Sequence, residues 1–182
     1  MGGRDAGTNE IMIKQYTEKE DIVFHTELPG SPFFVIKTKG EKVGQKLTEV
    51  TLNEVAVATA SYSKSWKLGM SIADVYWITP EQVTKDIGLP KGSFMINGKR
   101  NYFRVALKLA IGILETGEVM AGPIDAVKAQ CKKYFIIEQG KDKPSDAGKK
   151  IKKHLGGNLD DIIRVIPAGE CKVTLVENSS VN

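Results

Sequence analysis

Residues 91–103 read KGSFMINGKRNYF, and this stretch decides the fold that the sequence predicts. Two short runs that contain aromatic residues, 93–96 and 99–103, flank the dipeptide Asn97-Gly98. Asn-Gly suits both central positions of a type I′ turn, the tight connection between antiparallel strands. The sequence therefore predicts a β-hairpin here, and with it a sheet that is largely antiparallel.

Outward from this hairpin, β-rich runs alternate with helical segments. Further strands are predicted at residues 22–25, 33–37, 71–78, 105–114, 118–120, 134–138 and 171–176. Thr8 and Asn9 can cap a short first helix, and Thr51 with Glu54 forms a capping box that opens a helix running to about residue 66. Later helices are predicted at 123–132, 145–155 and 159–165.

These elements predict an α+β fold with a mixed, largely antiparallel sheet, flanking helices and a small α/β extension at the C-terminus. We expect residues 1–104 to form the core and residues 105–182 to form an extension packed on the same domain. No linker or internal repeat separates them.

Composition sets the broad class of protein. The chain has 182 residues, of which 41% are hydrophobic and 26% charged, so wholesale disorder is excluded. It shows no apolar run long enough to cross a membrane and no signal peptide, so a soluble, cytoplasmic protein is predicted. Cys131 and Cys171 lie in apolar surroundings and are expected to be buried thiols. With two histidines in the chain, they cannot supply a convincing zinc site, and we predict no metal and no cofactor.

The net charge of +4 is small, but its distribution is uneven. Residues 87–114 contain no acidic residue and carry five basic ones: Lys91, Lys99, Arg100, Arg104 and Lys108. Phosphates attract lysine and arginine, and unpaired bases stack on flat side chains, so this basic, aromatic stretch predicts RNA binding. The alternative is an edge hairpin whose lysines only deter aggregation and whose aromatic rings belong to the core.

Two other classes of function stay open from the residues. An enzyme acting on RNA or nucleotides would use His25 and Asp5 as its acid and base, although no nucleophile, base and oxyanion hole are recognisable together. His25 otherwise reads as a structural histidine at a strand end. A protein–protein adaptor would instead show an exposed apolar patch. The residues favour binding over catalysis.

Five sequence blocks, taken together, resemble the NFACT-R domain, the RNA-binding domain in the C-terminal part of the Rqc2, NEMF and RqcH proteins of ribosome-associated quality control. The blocks are residues 2–6 with 9–10, 21–25 with 30–32, 60–66, 76–77 with 80, 82–83 and 85, and 92–101. The remainder of the chain looks like the C-terminal extension of archaeal members. The resemblance implies an RNA-contacting module for tRNA or the large ribosomal subunit, either a stand-alone protein or a domain of a larger one.

The resemblance and the basic segments together give a set of expected RNA-contacting residues. They are Arg4, Asp5, Asn9, His25, Lys64, Ser65, Lys85, Lys91, Ser93, Lys99, Arg100 and Asn101. Two structural alternatives stay open: Arg4 and Asp5 can form an ion pair beside the glycine turn, and Asn101 can cap the hairpin. Trp66, next to Ser65, is expected to be a core residue and not a stacking platform.

Overall fold

The computed structural model describes residues 1–3, 5–39 and 47–177, which divide into two compact units. The first unit comprises Met1–Ser65 and Ile72–Val105, and the second comprises Trp66–Ser71 and Ala106–Asn182. Each contains a four-stranded sheet with antiparallel pairing and flanking helices. The predicted α+β class is confirmed.

The first unit is built on a sheet of strand order β2-β1-β3-β6, with a separate two-stranded ribbon of β4 and β5. β1 pairs antiparallel with β2 and β3, which places His25 opposite Tyr76. The elements in chain order are α1 (Ala6–Ile11), a π-helical turn (Met12–Tyr16), β1 (Ile22–Thr26), β2 (Phe34–Ile36), α2 (Glu49–Ser61), α3 (Lys64–Lys67, which runs into the second unit), β3 (Ile72–Ile78), a 3-10 turn (Pro80–Gln82), β4 (Val83–Thr84), β5 (Met95–Ile96) and β6 (Asn101–Ala106).

The two faces of this sheet are covered by different elements, because successive side chains of a strand point to opposite sides. On the face that carries Val23 and His25, a buried cluster joins the sheet to Met12 of the π-helical turn and to Phe94 beside the β4–β5 ribbon. On the opposite face, Phe34 stacks on Tyr62 at the end of α2, with ring centroids 6.3 Å apart.

The hairpin predicted around Asn97-Gly98 is wrong. β5 pairs with β4, with Val83 opposite Ile96, while β6 joins the main sheet beside β3. A type I′ turn needs a positive φ at both central residues. Gly98 has φ 77°, but Lys39 is the one non-glycine residue with positive φ in the described part of the chain, so Asn97 does not supply the second.

Several predicted element ends also shift. The cap of α2 is Thr48, three residues before the predicted cap Thr51, because the Thr48 side chain accepts a hydrogen bond from the Thr51 N–H at 3.3 Å. α1 is capped by Asp5 and not by Thr8 or Asn9. The continuous strand predicted for residues 105–114 is two strands in different sheets, interrupted at Leu107, whose N–H donates to the Ser71 carbonyl.

The second unit has an antiparallel sheet of order β10-β9-β7-β8. Trp66 is 1% exposed and donates its indole N–H to the Glu170 carbonyl at 3.2 Å, which confirms its predicted core position. Cys131 and Cys171 are buried, as expected. The elements are β7 (Leu109–Ile113), β8 (Val119–Gly122), α4 (Ile124–Gln130), β9 (Lys133–Asp142), α5 (Pro144–Leu155), α6 (Leu159–Val165) and β10 (Cys171–Glu177).

Candidate nucleic-acid interface

An open pocket of about 250 Å³ lies in the first unit, on the sheet face that carries His25. Three separate parts of the chain line it: the end of β1 with the turn that follows, the β3 residue Tyr76, and the segment from Gly92 to Arg100. The pocket therefore brings together three of the five sequence blocks that resemble the family. Pairing of β1 with β3 places His25 beside Tyr76, and the position of β6 next to β3 brings the segment that precedes β6 to the same sheet.

His25 forms part of the aromatic wall of this pocket. Its ring stacks on Phe33 with centroids 4.2 Å apart, and its Nε2 lies 3.1 Å from the Ser31 carbonyl. Because a carbonyl can only accept, the proton of the neutral ring lies on Nε2, and the Tyr76 hydroxyl donates to Nδ1 at 3.4 Å. Burial lowers the pKa of His25 below its ordinary value of 6.5. The ring is therefore neutral at pH 7 and contributes an aromatic surface, not a charge.

Arg100 lies at the pocket edge and is held by Glu27. Its Nη1 donates to both carboxylate oxygens of Glu27, at 2.7 and 2.8 Å, and the Tyr102 hydroxyl donates to the same carboxylate at 2.6 Å. The guanidinium also lies 4.7 Å from the centre of the Tyr76 ring. Burial acts to raise the pKa of Glu27, but the hydrogen bonds from Tyr102 and Arg100 lower it overall. The charge of Arg100 is thus largely matched within the protein.

Lys85 and Glu10 anchor the segment that leads into the pocket. Lys85 Nζ donates to the carbonyls of Pro90 and Ser93, at 2.6 and 3.0 Å, and to Glu10 Oε2 at 3.2 Å. The same Glu10 oxygen accepts the N–H of Gly92 at 2.7 Å. Hydrogen bonds from Lys14, from the Gly92 N–H and from Lys85 together lower the pKa of Glu10 to about 2. The ammonium group of Lys85 is therefore already hydrogen-bonded within the protein.

Asn9 and Asp5 do not line the pocket. Asn9 is 4% exposed; its Oδ1 accepts the Phe33 N–H at 3.1 Å and its Nδ2 donates to the Ser31 carbonyl at 3.3 Å. Asp5 caps α1 by accepting the Thr8 N–H at 2.9 Å. Asp5 is not among the pocket-lining residues, so the acid–base pair of the enzyme alternative is not assembled there.

Lys64 and Lys91 are exposed cations near this pocket. The Lys64 ammonium lies over Gly30 of the lining, since a Cβ on that glycine would come within 2.9 Å of its Nζ. Lys91 immediately precedes Gly92, another lining residue. Within residues 1–3, 5–39 and 47–177, neither lysine has a carboxylate partner within 4 Å. The charge of Lys64 is therefore available to an anion. Lys91 also attracts Asp5, since a Cβ on Gly7 would lie 3.4 Å from Lys91 Nζ and 3.2 Å from Asp5 Oδ1.

The remaining expected contact residues are distributed differently. Ser93 is exposed and lines the pocket, whereas Ser65 is 1% exposed. Lys99 is exposed but does not line the pocket, and Asn101 donates to the Trp77 carbonyl at 3.4 Å. Arg4 lies outside the described residues.

Sequence reasoning did not select three residues that shape this site. Glu27 is not recognisable from the sequence, because its pairing with Arg100 depends on tertiary structure. Phe94 lies in the aromatic stretch that predicts RNA binding but was not named as a contact residue, and its ring meets that of Phe33 edge to face at 5.6 Å. For Phe33, the sequence offered one indication, because the family-like block at residues 30–32 lies directly before it.

None of the helices in the described part of the chain is both long and apolar enough to span a membrane.

A family model described as the NFACT protein RNA binding domain matches residues 1–98, more than half of the chain. The chain belongs to this family. It is 38% identical over 184 aligned residues to the archaeal Rqc2 homolog aRqcH of Methanocaldococcus jannaschii, an alignment that covers 95% of this chain and 27% of that protein. It is 36% identical over 106 residues to the human ribosome quality control complex subunit NEMF, covering 56% of this chain and 10% of that protein. The chain thus spans about a quarter or less of the length of these relatives.

Among solved structures, the chain is similar to the C-terminal part of the fibronectin/fibrinogen-binding protein from Streptococcus suis. The TM-score is 0.50 at 17% identity, and the match covers 72% of this chain and 43% of that one. At this identity the similarity concerns the fold.

Proposed function

We propose that this chain binds RNA of the translation machinery, either tRNA or large-subunit ribosomal RNA, as a module of ribosome-associated quality control. The family assignment supports RNA binding, and the names of the relatives supply the quality-control setting, which would place the protein in the cytoplasm. The observation that carries the proposal for this chain is the pairing of two exposed cations, Lys64 over Gly30 and Lys91 next to Gly92, with an aromatic-walled pocket.

The proposed mechanism is phosphate neutralisation at the pocket rim, with limited contact to bases. Of the expected contact residues, Lys64, Lys91, Ser93 and Lys99 present exposed side chains. Asn9, Ser65 and Lys85 would then act indirectly, by holding the segments that carry the exposed ones. Binding of this kind is strongly salt-dependent and weakly sequence-specific.

We further propose that residues 1–104 are the RNA-binding core and that residues 105–182 are an archaeal-type extension. The family model ends at residue 98. The alignment with the archaeal relative covers 95% of the chain, while that with the human relative covers 56%.

The test is a salt titration of binding to an unstructured RNA oligonucleotide, using the variant Lys64→Gln with Lys91→Gln. Each lost phosphate contact on single-stranded RNA lowers the slope of log Kobs against log salt by about 0.7. We therefore expect the slope to fall by about 1.4 and the affinity at about 0.1 M salt to fall by roughly 25-fold. Arg100 is avoided because its substitution would also break the pair with Glu27.

The matched control is Lys152→Gln with Lys153→Gln, which removes the same charge from exposed positions of α5 in the second unit. We expect it to retain the wild-type slope. An equal loss in both double variants would show that binding follows total charge, and would contradict the proposed location. Absence of RNA binding by the wild-type protein would contradict the function itself.

A further inference from the structure

The pocket in the first unit has the size of a single ring-shaped group. Its volume of about 250 Å³ lies just under the roughly 300 Å³ at which pockets for small organic ligands begin. The bases of a double-stranded A-form helix are stacked inside it and offer only their edges and backbone. A base can enter such a pocket only from an unpaired segment, where it is free to leave the stack.

The wall of the pocket is aromatic, and two of its rings lie beside cations, Tyr76 beside Arg100 at 4.7 Å and Phe94 beside Lys85 at 5.2 Å. His25 stacks on Phe33 at an interplanar angle of 29°, and Phe94 meets Phe33 at 88°. The Tyr76 ring closes the β3 side, and its hydroxyl is occupied by His25. His25 donates from Nε2 to the Ser31 carbonyl and accepts at Nδ1 from Tyr76, so its ring presents an aromatic face, which suits a planar group with apolar faces.

The rim, in contrast, carries charge and hydrogen-bonding groups. Lys64 lies over Gly30 on one side, and Arg100 with its partner Glu27 lines another part. Because Glu27 matches the charge of Arg100, Lys64 supplies the uncompensated charge. Ser93 adds an exposed hydroxyl group. A ligand that fits both parts has a planar apolar ring joined to an anionic group.

We propose that this pocket accepts one unpaired nucleotide of the bound RNA, with the base against the partly exposed rings of His25 and Phe94 and a phosphate near Lys64. This inference rests on the proposed RNA binding and adds a preference for single-stranded over fully paired segments. Base stacking on aromatic side chains is tolerant of sequence, because every base has an aromatic face. The pocket therefore selects unpaired structure more than base identity.

The experiment compares a short unstructured RNA oligonucleotide with a blunt duplex of the same strand, each titrated with wild-type protein and with Ser93→Trp. Ser93 is exposed, and its backbone bonds to Pro90 and Lys85 do not involve its side chain, so tryptophan fills the pocket without changing charge. Val50→Trp is the control, since Val50 is 67% exposed on α2. We expect Ser93→Trp to weaken single-strand binding by about tenfold or more and to weaken duplex binding clearly less.

A second measurement needs no variant. Wild-type protein labelled with ¹⁵N is titrated with nucleoside monophosphates, and we expect the largest amide shifts at Gly30, Ser31 and Ser93. If single strand and duplex bind the wild-type protein equally well, and Ser93→Trp changes neither, the pocket inference is overturned while RNA binding stands. Nucleotide shifts confined to other residues would overturn it as well. If neither RNA binds, the proposed function itself fails.

Discussion

Asn9 gives the clearest test of how the pocket is held together, through the substitution Asn9→Ala. The amide of Asn9 is 4% exposed and is the acceptor for the Phe33 N–H, which lies in the wall of the pocket. Alanine removes this acceptor at a site that water cannot easily reach. A buried donor left without a partner costs about 1–3 kcal/mol.

The second hydrogen bond of Asn9 adds less to this cost. The Ser31 carbonyl that accepts from Asn9 Nδ2 at 3.3 Å also accepts from His25 Nε2 at 3.1 Å, so it keeps a partner in the variant. We therefore expect Asn9→Ala to lower the free energy of unfolding of the first unit by about 2–3 kcal/mol.

The assay is urea unfolding followed through the NMR amide signals of the first unit, which keeps its transition separate from that of the second. Asn97→Ala is the matched control, because its exposed amide donates to Thr84 Oγ1 at 3.0 Å where water can replace it. Its expected cost is about 0.5 kcal/mol or less. Equal losses in the two variants would refute the argument that Asn9 is a buried bridge.

Two further predictions concern the same unit. The pKa of His25 is lower in the folded protein than in the unfolded chain, so the unfolded chain binds a proton first as the pH falls. We therefore expect the free energy of unfolding of the wild-type protein, compared with His25→Gln, to decrease as the pH falls below 6.5. Urea midpoints measured across this range check it, and a pH-independent difference would contradict it. Gly92→Ala should be strongly destabilising, because Gly92 has φ 75° and an added Cβ would lie 2.5 Å from the Ala6 Cα. Gly88→Ala is the control, because Gly88 has φ 92° and nothing lies within 4 Å of the added Cβ. Its expected loss of stability, about 1–2 kcal/mol, comes from backbone strain alone. A similar thermal shift in both glycine variants would argue against the clash.

The position of Glu27 changes how the basic stretch around residue 100 is understood. As a sequence, residues 87–114 present five uncompensated basic side chains. In the structure, Arg100 is neutralised by Glu27, and Lys108 pairs with Glu138 at 2.8 Å. Under the proposed function, the available charge shifts towards Lys64 and Lys91, which come from separate segments.

Local patterns predicted much of the architecture. The α+β class, the strand around residues 22–26 and the helix Leu159–Val165 follow from periodicity and turn residues acting over a few positions. The family, too, was identifiable from ordered sequence blocks, and the match over residues 1–98 confirms it. Such features depend on neighbours along the chain, so one sequence is enough to show them.

Strand partners and side-chain partners required the tertiary structure. Asn97-Gly98 has the composition of a hairpin turn, yet Gln82 binds the carbonyls of Asn97 and Lys99 and the flanking strands join different partners. The role of Asn9 depended on Ser31 and Phe33, which lie 22 and 24 positions along the chain from it. Whether Arg100 is a free charge depended on Glu27, which lies 73 positions away. The sequence by itself determined the residue types and their local propensities. Burial and long-range packing decided which donors, acceptors and charges already have a partner, because a hydrogen bond needs two groups brought within about 3 Å.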